Sequence, residues 1–160
     1  MKQEVVESLE VSTNQIDIEI KVHDPWCMPI KQATGDWIDL CLRDDVYLDC
    51  QRKIFRYRNL SLGVSMKIPD GYEAIIASRS STFSKHGIIM AGGIGVIDGS
   101  YCGEDDIWHY PAIFTSRHLY IIDKGTRLCQ FRIQKRQPDV NFIFVDSLPY
   151  MNRGGFGTTG

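Results

Sequence analysis

The last nine residues, Asn152-Arg153-Gly154-Gly155-Phe156-Gly157-Thr158-Thr159-Gly160, bring together four glycines, an arginine, an aromatic ring and two threonine hydroxyls. This mix cannot build a core, but it suits a flap. Glycine lets backbone N–H groups approach a phosphate, arginine grips it, and a ring can cover a flat base. The plainer alternative is a disordered glycine-rich tail. What favours the flap is that matching chemistry recurs at four other places.

The run Ala77-Ser78-Arg79-Ser80-Ser81-Thr82 sets one arginine among four hydroxyls just after an apolar stretch. Hydroxyls and free N–H groups at the start of a short helix accept an anion; a hydroxyl-rich cap with a solvated Arg79 is the alternative. In Gly92 to Gly103, Asp98 ends an apolar strand. A desolvated carboxylate there can serve as general base for water, and Tyr101 can lay its ring on a sugar. A hairpin with an Asp98-Gly99 turn and a surface tyrosine is the alternative. Asp39, between Ile38 and Leu40, could hold Mg²⁺ through water, or could be a strand-edge aspartate facing solvent. In Gly125 to Phe131, Gln130 offers an amide to a phosphate oxygen, and Arg127 reads as an ordinary strand entrance.

The elements that must position these groups are short. Ile16 to Val22 and Leu60 to Ile68 alternate apolar and polar residues, as half-buried strands do. Further strands are expected at Trp37 to Leu42, Glu73 to Ile76, Ile107 to Phe114, Leu119 to Ile122, Arg127 to Ile133 and Val140 to Val145. Turns are expected at Pro69-Asp70-Gly71, Asp98-Gly99 and Asp123-Lys124-Gly125. The best helix candidate is Thr82 to His86. Many short strands with frequent turns predict an all-β sandwich or barrel.

The 160 residues are enough for one domain with a sizeable core. A net charge of −2 gives no global field for nucleic acid, so a polyanion must be met by a local cluster or a metal. No apolar run is long enough to span a bilayer, and the acidic start does not read as a signal peptide. The five cysteines, Cys27, Cys41, Cys50, Cys102 and Cys129, show no C-x-x-C spacing. They read as small fillers in a reducing cytoplasm rather than as a zinc site or disulfide framework.

Together the five segments resemble, in order and approximate spacing, the five motifs of the trimeric dUTPases, from roughly Asp24 to Gly160. These are Ala33 to Leu40, Ser78 to Ser81 followed by Lys85, Gly95 to Gly103, Gly125 to Gln130, and the terminal flap. The resemblance implies a distorted jelly-roll or β-barrel-like fold with at most one short helix. It implies a body over 1–151 and a flexible flap over 152–160 that closes on a neighbouring subunit of a homotrimer. It also implies Mg²⁺-dependent hydrolysis of dUTP to dUMP and pyrophosphate. Asp98 would activate the water attacking the α-phosphate. Arg79, Ser80, Ser81 and Gln130 would hold phosphates. Gly95, Val96 and Ile97 would read the uracil edge and exclude a thymine methyl. Tyr101 would pack on the deoxyribose, and Asp39 would hold the metal through water. Phe156 would stack on the base, with Arg153, Gly157, Thr158 and Thr159 around the terminal phosphate.

The chain also departs from the family pattern. Asp36-Trp37-Ile38 stands where Ser-Ala-Gly is usual, Cys102 follows the third-motif tyrosine in place of arginine, and Glu104-Asp105-Asp106 is unusually acidic. The flap arginine lies three rather than five residues before the phenylalanine. Two other functions compete. A dCTP deaminase would need a glutamate within Ile107 to Phe114, which has none. A nucleotide-responsive binding module could use the basic and aromatic stretch Cys50 to Asn59 as a protein contact, but the presence of both Asp98 and Phe156 favours an enzyme.

Overall fold

The computed structural model describes residues 15–48, 56–115, 120–152 and 154. Within them, the strands Glu19–Val22 (β1), Ile30–Lys31 (β2), Ile38–Cys41 (β3), Val46–Leu48 (β4), Arg56–Ser61 (β5) and Val64–Lys67 (β6) come first. Tyr72–Ser78 (β7), Ile88–Met90 (β8), Gly95–Ile97 (β9), His109–Phe114 (β10), Tyr120–Ile122 (β11) and Arg127–Lys135 (β12) follow. The only α-helix among the described residues is the single turn Thr82–His86 (α1), as expected. The largest sheet has the order β2-β3-β12-β7-β9, a second has β5-β10-β8, and the pairs β1-β6 and β11-β4 complete the fold. All these pairings are antiparallel, so the chain has the all-β, jelly-roll-like architecture expected of it.

The core lies between the sheets. Leu40, Ile76, Leu128 and Phe131 enter it from the largest sheet, and Tyr110 and Phe114 from β10. Trp108 meets Phe131 edge-on at 5.3 Å between ring centroids, a favoured aromatic geometry. Cys27, Cys41 and Cys129 are buried and unpaired. Burial pushes all three thiols up, Cys27 to about 11, so they stay protonated and act as apolar filler. Among the described residues no helix is long and apolar enough to cross a membrane.

Two strand expectations fail for identifiable reasons. Leu60 to Ile68 is not one half-buried strand, because Gly63 takes the left-handed conformation (φ 62°) and separates β5 from β6. The chain from Leu62 to Met66 is buried on both faces, so its alternation does not report one wet side. Val140 to Val145 forms no strand. It makes no ladder with any described strand and leaves Phe142, Ile143 and Phe144 exposed, the last at 97%. A strand needs a partner for its backbone groups, and this segment finds none among the described residues. The strand expected from Ile16 begins only at Glu19, and Leu119 lies outside the described residues.

Gly63 is also a packing requirement. A Cβ there would meet Cys27 Sγ at 2.4 Å, on top of the unfavourable φ. Gly63→Ala is therefore expected to cost about 2–4 kcal/mol, from overpacking plus left-handed strain. For a chain of this length that lowers the thermal midpoint by roughly 5–15 °C in calorimetry. A midpoint within about 2 °C of the parent would contradict the packing argument.

Candidate active site

The largest sheet owes its chemistry to one irregularity. Along β12 the register against β3 slips, so that Arg127 faces Cys41 while Cys129 faces Leu40. Leu128 is the extra residue. Cys129 and Phe131 both point into the core, and strict alternation from them would send Arg127 there too. The bulge restores the phase and delivers Arg127 to the Gln130 side of the sheet. It also fixes the neighbouring turn. The Leu128 carbonyl accepts the Arg79 N–H at 3.2 Å and the buried Thr82 hydroxyl at 2.5 Å, while the Thr82 N–H closes back on the Arg79 carbonyl at 3.0 Å.

Asp39 stands opposite Gln130 in the β3–β12 ladder. It is not the solvent-facing aspartate that alternation suggests, being only 3% exposed. Its Oδ1 accepts Arg79 Nε at 2.9 Å and its Oδ2 accepts Arg127 Nη1 at 3.1 Å. Arg79 Nη1 donates in addition to the Arg127 carbonyl at 3.3 Å. Beside this cluster lies a cavity of about 330 Å³, with Gln32 to Trp37 forming one wall and Asp39, Arg79, Ser80 and Gln130 the other. Its Arg79, Ser80 and Gln130 donors suit a polyphosphate. Ser81 is set apart from that cavity as the N-cap of α1, where its hydroxyl makes no cap bond.

The same geometry bears on the metal expectation. One carboxylate already serves two guanidiniums, so the trio carries a net positive charge. Among the described residues no group of three or more His, Cys, Asp or Glu could hold a metal. With both oxygens already on guanidiniums, Asp39 is poorly suited to hold a metal directly. Asp36, on the opposite wall, is an exposed carboxylate.

The expected base lies elsewhere on the protomer. β9 pairs with β7 through Ile97–Ala74, Val96–Ile75 and Gly95–Ile76. Asp98 follows directly and opens the turn closed by the Tyr101 N–H on its carbonyl at 3.0 Å. Its side chain is exposed and borders a cavity of about 660 Å³ with Tyr72, Glu73, Ser100 and Arg136. The desolvation expected of it is thus absent in the single chain. Asp98 sits one residue beyond the end of the β7–β9 register and Arg79 one residue beyond the opposite end of β7. Six strand positions separate them, or about 20 Å. One protomer brings Asp39, Arg79, Ser80 and Gln130 together, but it does not bring Asp98 to them.

Between the two ends, β9 is an edge strand, paired only with β7 among the described strands, so its outer backbone groups are open to a ligand. A Cβ on Gly95 would meet Met90 Cε at 3.2 Å and Ile76 Cβ at 3.5 Å, so the strand there admits little beyond backbone. Val96 is exposed, and Tyr101 is anchored by its hydroxyl, which donates to the Ile107 carbonyl at 3.2 Å. The acidic stretch has local work: Glu104 pairs with Lys21, and Asp106 Oδ2 accepts the Gly103 N–H at 2.7 Å. Arg153, Phe156, Gly157, Thr158 and Thr159 lie outside the described residues. The residue that sequence reasoning undervalued is Arg127. A bulge is invisible to alternation, and only the neighbouring Gly125 and Thr126 hint at a perturbed strand start.

A family model described as dUTPase matches residues 24–160. The chain is 45% identical over 130 residues to the SPbeta prophage-derived deoxyuridine 5'-triphosphate nucleotidohydrolase of Bacillus subtilis, covering 81% of this chain and 87% of that protein. It is 32% identical over 152 residues to the deoxyuridine 5'-triphosphate nucleotidohydrolase of Leifsonia xyli, covering 92% and 93%. Its fold resembles that of a Staphylococcus bacteriophage 80alpha dUTPase solved with dUpNHpp, with a TM-score of 0.69 at 21% identity, covering 91% of this chain and 99% of that one. It likewise resembles dUTPase from Streptococcus mutans, with a TM-score of 0.64 at 18% identity, covering 81% and 98%.

Proposed function

The chain belongs to the dUTPase family, and from that premise we propose that it hydrolyses dUTP to dUMP and pyrophosphate, with Asp98 as the base that activates water at the α-phosphate. Arg79, Ser80 and Gln130 hold the phosphates and stabilise the charge that grows on them during transfer, and Ser81 assists from the start of α1. The open edge of β9, at Gly95, Val96 and Ile97, takes the uracil, and the tight packing around Gly95 rejects a thymine methyl. Tyr101 lies against the deoxyribose. The flap 152–160 covers the site, with Phe156 on the base and Arg153, Gly157, Thr158 and Thr159 near the terminal phosphate. Mg²⁺ brought with the substrate would supply charge neutralisation of the triphosphate. The reaction takes place in the cytoplasm.

The observation that carries this reading is the separation of the two half-sites along β7. A base and a phosphate grip about 20 Å apart cannot serve one triphosphate within one chain. They can when copies assemble so that Asp98 of one faces the cluster of another, which also supplies the desolvation that Asp98 lacks alone. A homotrimer meets this need. The exposed apolar run from Val140 to Met151 supports assembly, because so much unpaired apolar surface calls for a partner.

Two measurements test it. Pyrophosphate release should occur from dUTP and not from dCTP, dTTP or UTP, and ammonia release from dCTP would replace this reading with a deaminase. Refolding Asp98→Asn and Arg79→Ala chains together in equal amounts should recover about a quarter of parental activity if the two residues act from different chains of a symmetric assembly. Sites built within one chain would recover none.

A further inference from the structure

Resting on the reading of the Arg79 cluster as the triphosphate grip, we infer that Asp39 and Arg127 are positioning residues that hold the Arg79 guanidinium ready for phosphate, and that Asp39 serves this arginine rather than a metal. Arg79 has three guanidinium nitrogens. Nε is taken by Asp39 Oδ1 at 2.9 Å and Nη1 by the Arg127 carbonyl at 3.3 Å. Nη2 and the second Nη1 hydrogen remain for a ligand. A long arginine on an open surface would lose rotamer freedom on gripping an anion, whereas a braced one has lost it beforehand.

Arg127 contributes twice. Its carbonyl accepts from Arg79, and its guanidinium takes the second oxygen of Asp39 at 3.1 Å, which fixes the carboxylate that fixes Arg79. The bulge at Leu128 makes both contacts possible, because it turns the Arg127 side chain to the Asp39 side of the sheet. The same residue's carbonyl holds the Arg79 main chain. Two consecutive residues of β12 therefore set both the backbone and the side chain of one phosphate-binding arginine. Charge points the same way. Asp39 screens the repulsion between two neighbouring guanidiniums, and with both its oxygens engaged it has little left for a third cation.

The test is calorimetric titration with the non-hydrolysable imido analogue of dUTP and with dUMP, each in EDTA and in excess Mg²⁺. Arg127→Ala should weaken the analogue about ten-fold in both buffers and shift dUMP by less than about two-fold, because the braced contact belongs to the outer phosphates. Arg127→Lys, which keeps a cation against Asp39, should recover most of that loss. In an Arg79→Ala background, Arg127→Ala should add less than about two-fold, the mark of a residue that acts through another. Asp39→Asn should reproduce the loss with and without Mg²⁺; should it fail to fold, the Arg127 variants still decide. A loss confined to the Mg²⁺ buffer, or fully additive losses from Arg79 and Arg127, would overturn the inference. A parent that binds the analogue no better than dUMP would instead remove the triphosphate reading beneath it.

Discussion

Asp98→Asn is expected to bind the imido analogue of dUTP within about three-fold of the parent and to hydrolyse dUTP at least about 100-fold more slowly. The substitution keeps the shape of the side chain and removes its negative charge and its ability to accept a proton. Asp98 opens an exposed turn through its main-chain carbonyl, which the amide variant retains. Its side chain is exposed in the single chain, so the change leaves no buried group unpaired and melting should be unaffected. Loss of turnover without loss of binding is the pattern of an interaction realised only in the transition state. The rate should be read in a single-turnover experiment, so that product release cannot mask the chemical step. A variant that assembles normally and still turns over within about ten-fold of the parent would exclude Asp98 as the base.

The contrast between Asp98 and Asp39 shows what the chain made legible and what it hid. Both are aspartates beside apolar neighbours, and local sequence treats them alike. In the structure Asp98 is exposed at a strand end, while Asp39 is buried between two arginines brought from β7 and β12. The partners of Asp39 lie 40 and 88 positions away along the chain, and no local pattern carries that pairing. Strands with one wetter face were readable from alternation, as β7, β10 and the core of β12 show. The turn at Pro69-Asp70-Gly71 was readable from its residues: the Tyr72 N–H reaches the Pro69 carbonyl at 3.1 Å, and Gly71 takes φ 84°.

What alternation could not show were places where one residue breaks the period. Gly63 divides an alternating run in two, and Leu128 shifts a strand by one residue and so re-aims Arg127. The short strands β2, β4 and β8 also escaped, because two or three residues carry too little period to see. Val140 to Val145 failed in the opposite sense. Its apolar character was read as a strand, whereas it pairs with no described strand and is left exposed.

Removing residues 153–160 is expected to lower turnover of dUTP by about 100-fold or more while leaving the thermal midpoint within about 2 °C of the parent. The second half of this prediction rests on where the core ends. Among the described residues the buried cluster takes its last member from Phe131, with Ile133 packed against it, and none beyond β12 contributes. The truncation also spares Val140 to Met151, the segment argued to meet another copy, so assembly should persist in sedimentation. The first half rests on chemistry that the remainder cannot replace. The cavity beside Asp39 supplies donors for phosphate but no free aromatic cap for a base other than its own wall at Trp37. Asp98 needs a water-poor site to act as a strong base, and a cover is what excludes bulk water. Phe156→Ala in the full-length chain separates the two contributions of the flap. If stacking on the base dominates, this one change should reproduce most of the loss, chiefly as a raised KM. If closure by the glycine-rich backbone and Arg153 dominates, KM should move little and kcat should stay near that of the parent. A truncated chain that melts much lower, or that keeps parental turnover, would place residues 153–160 in the structural body instead of over the site.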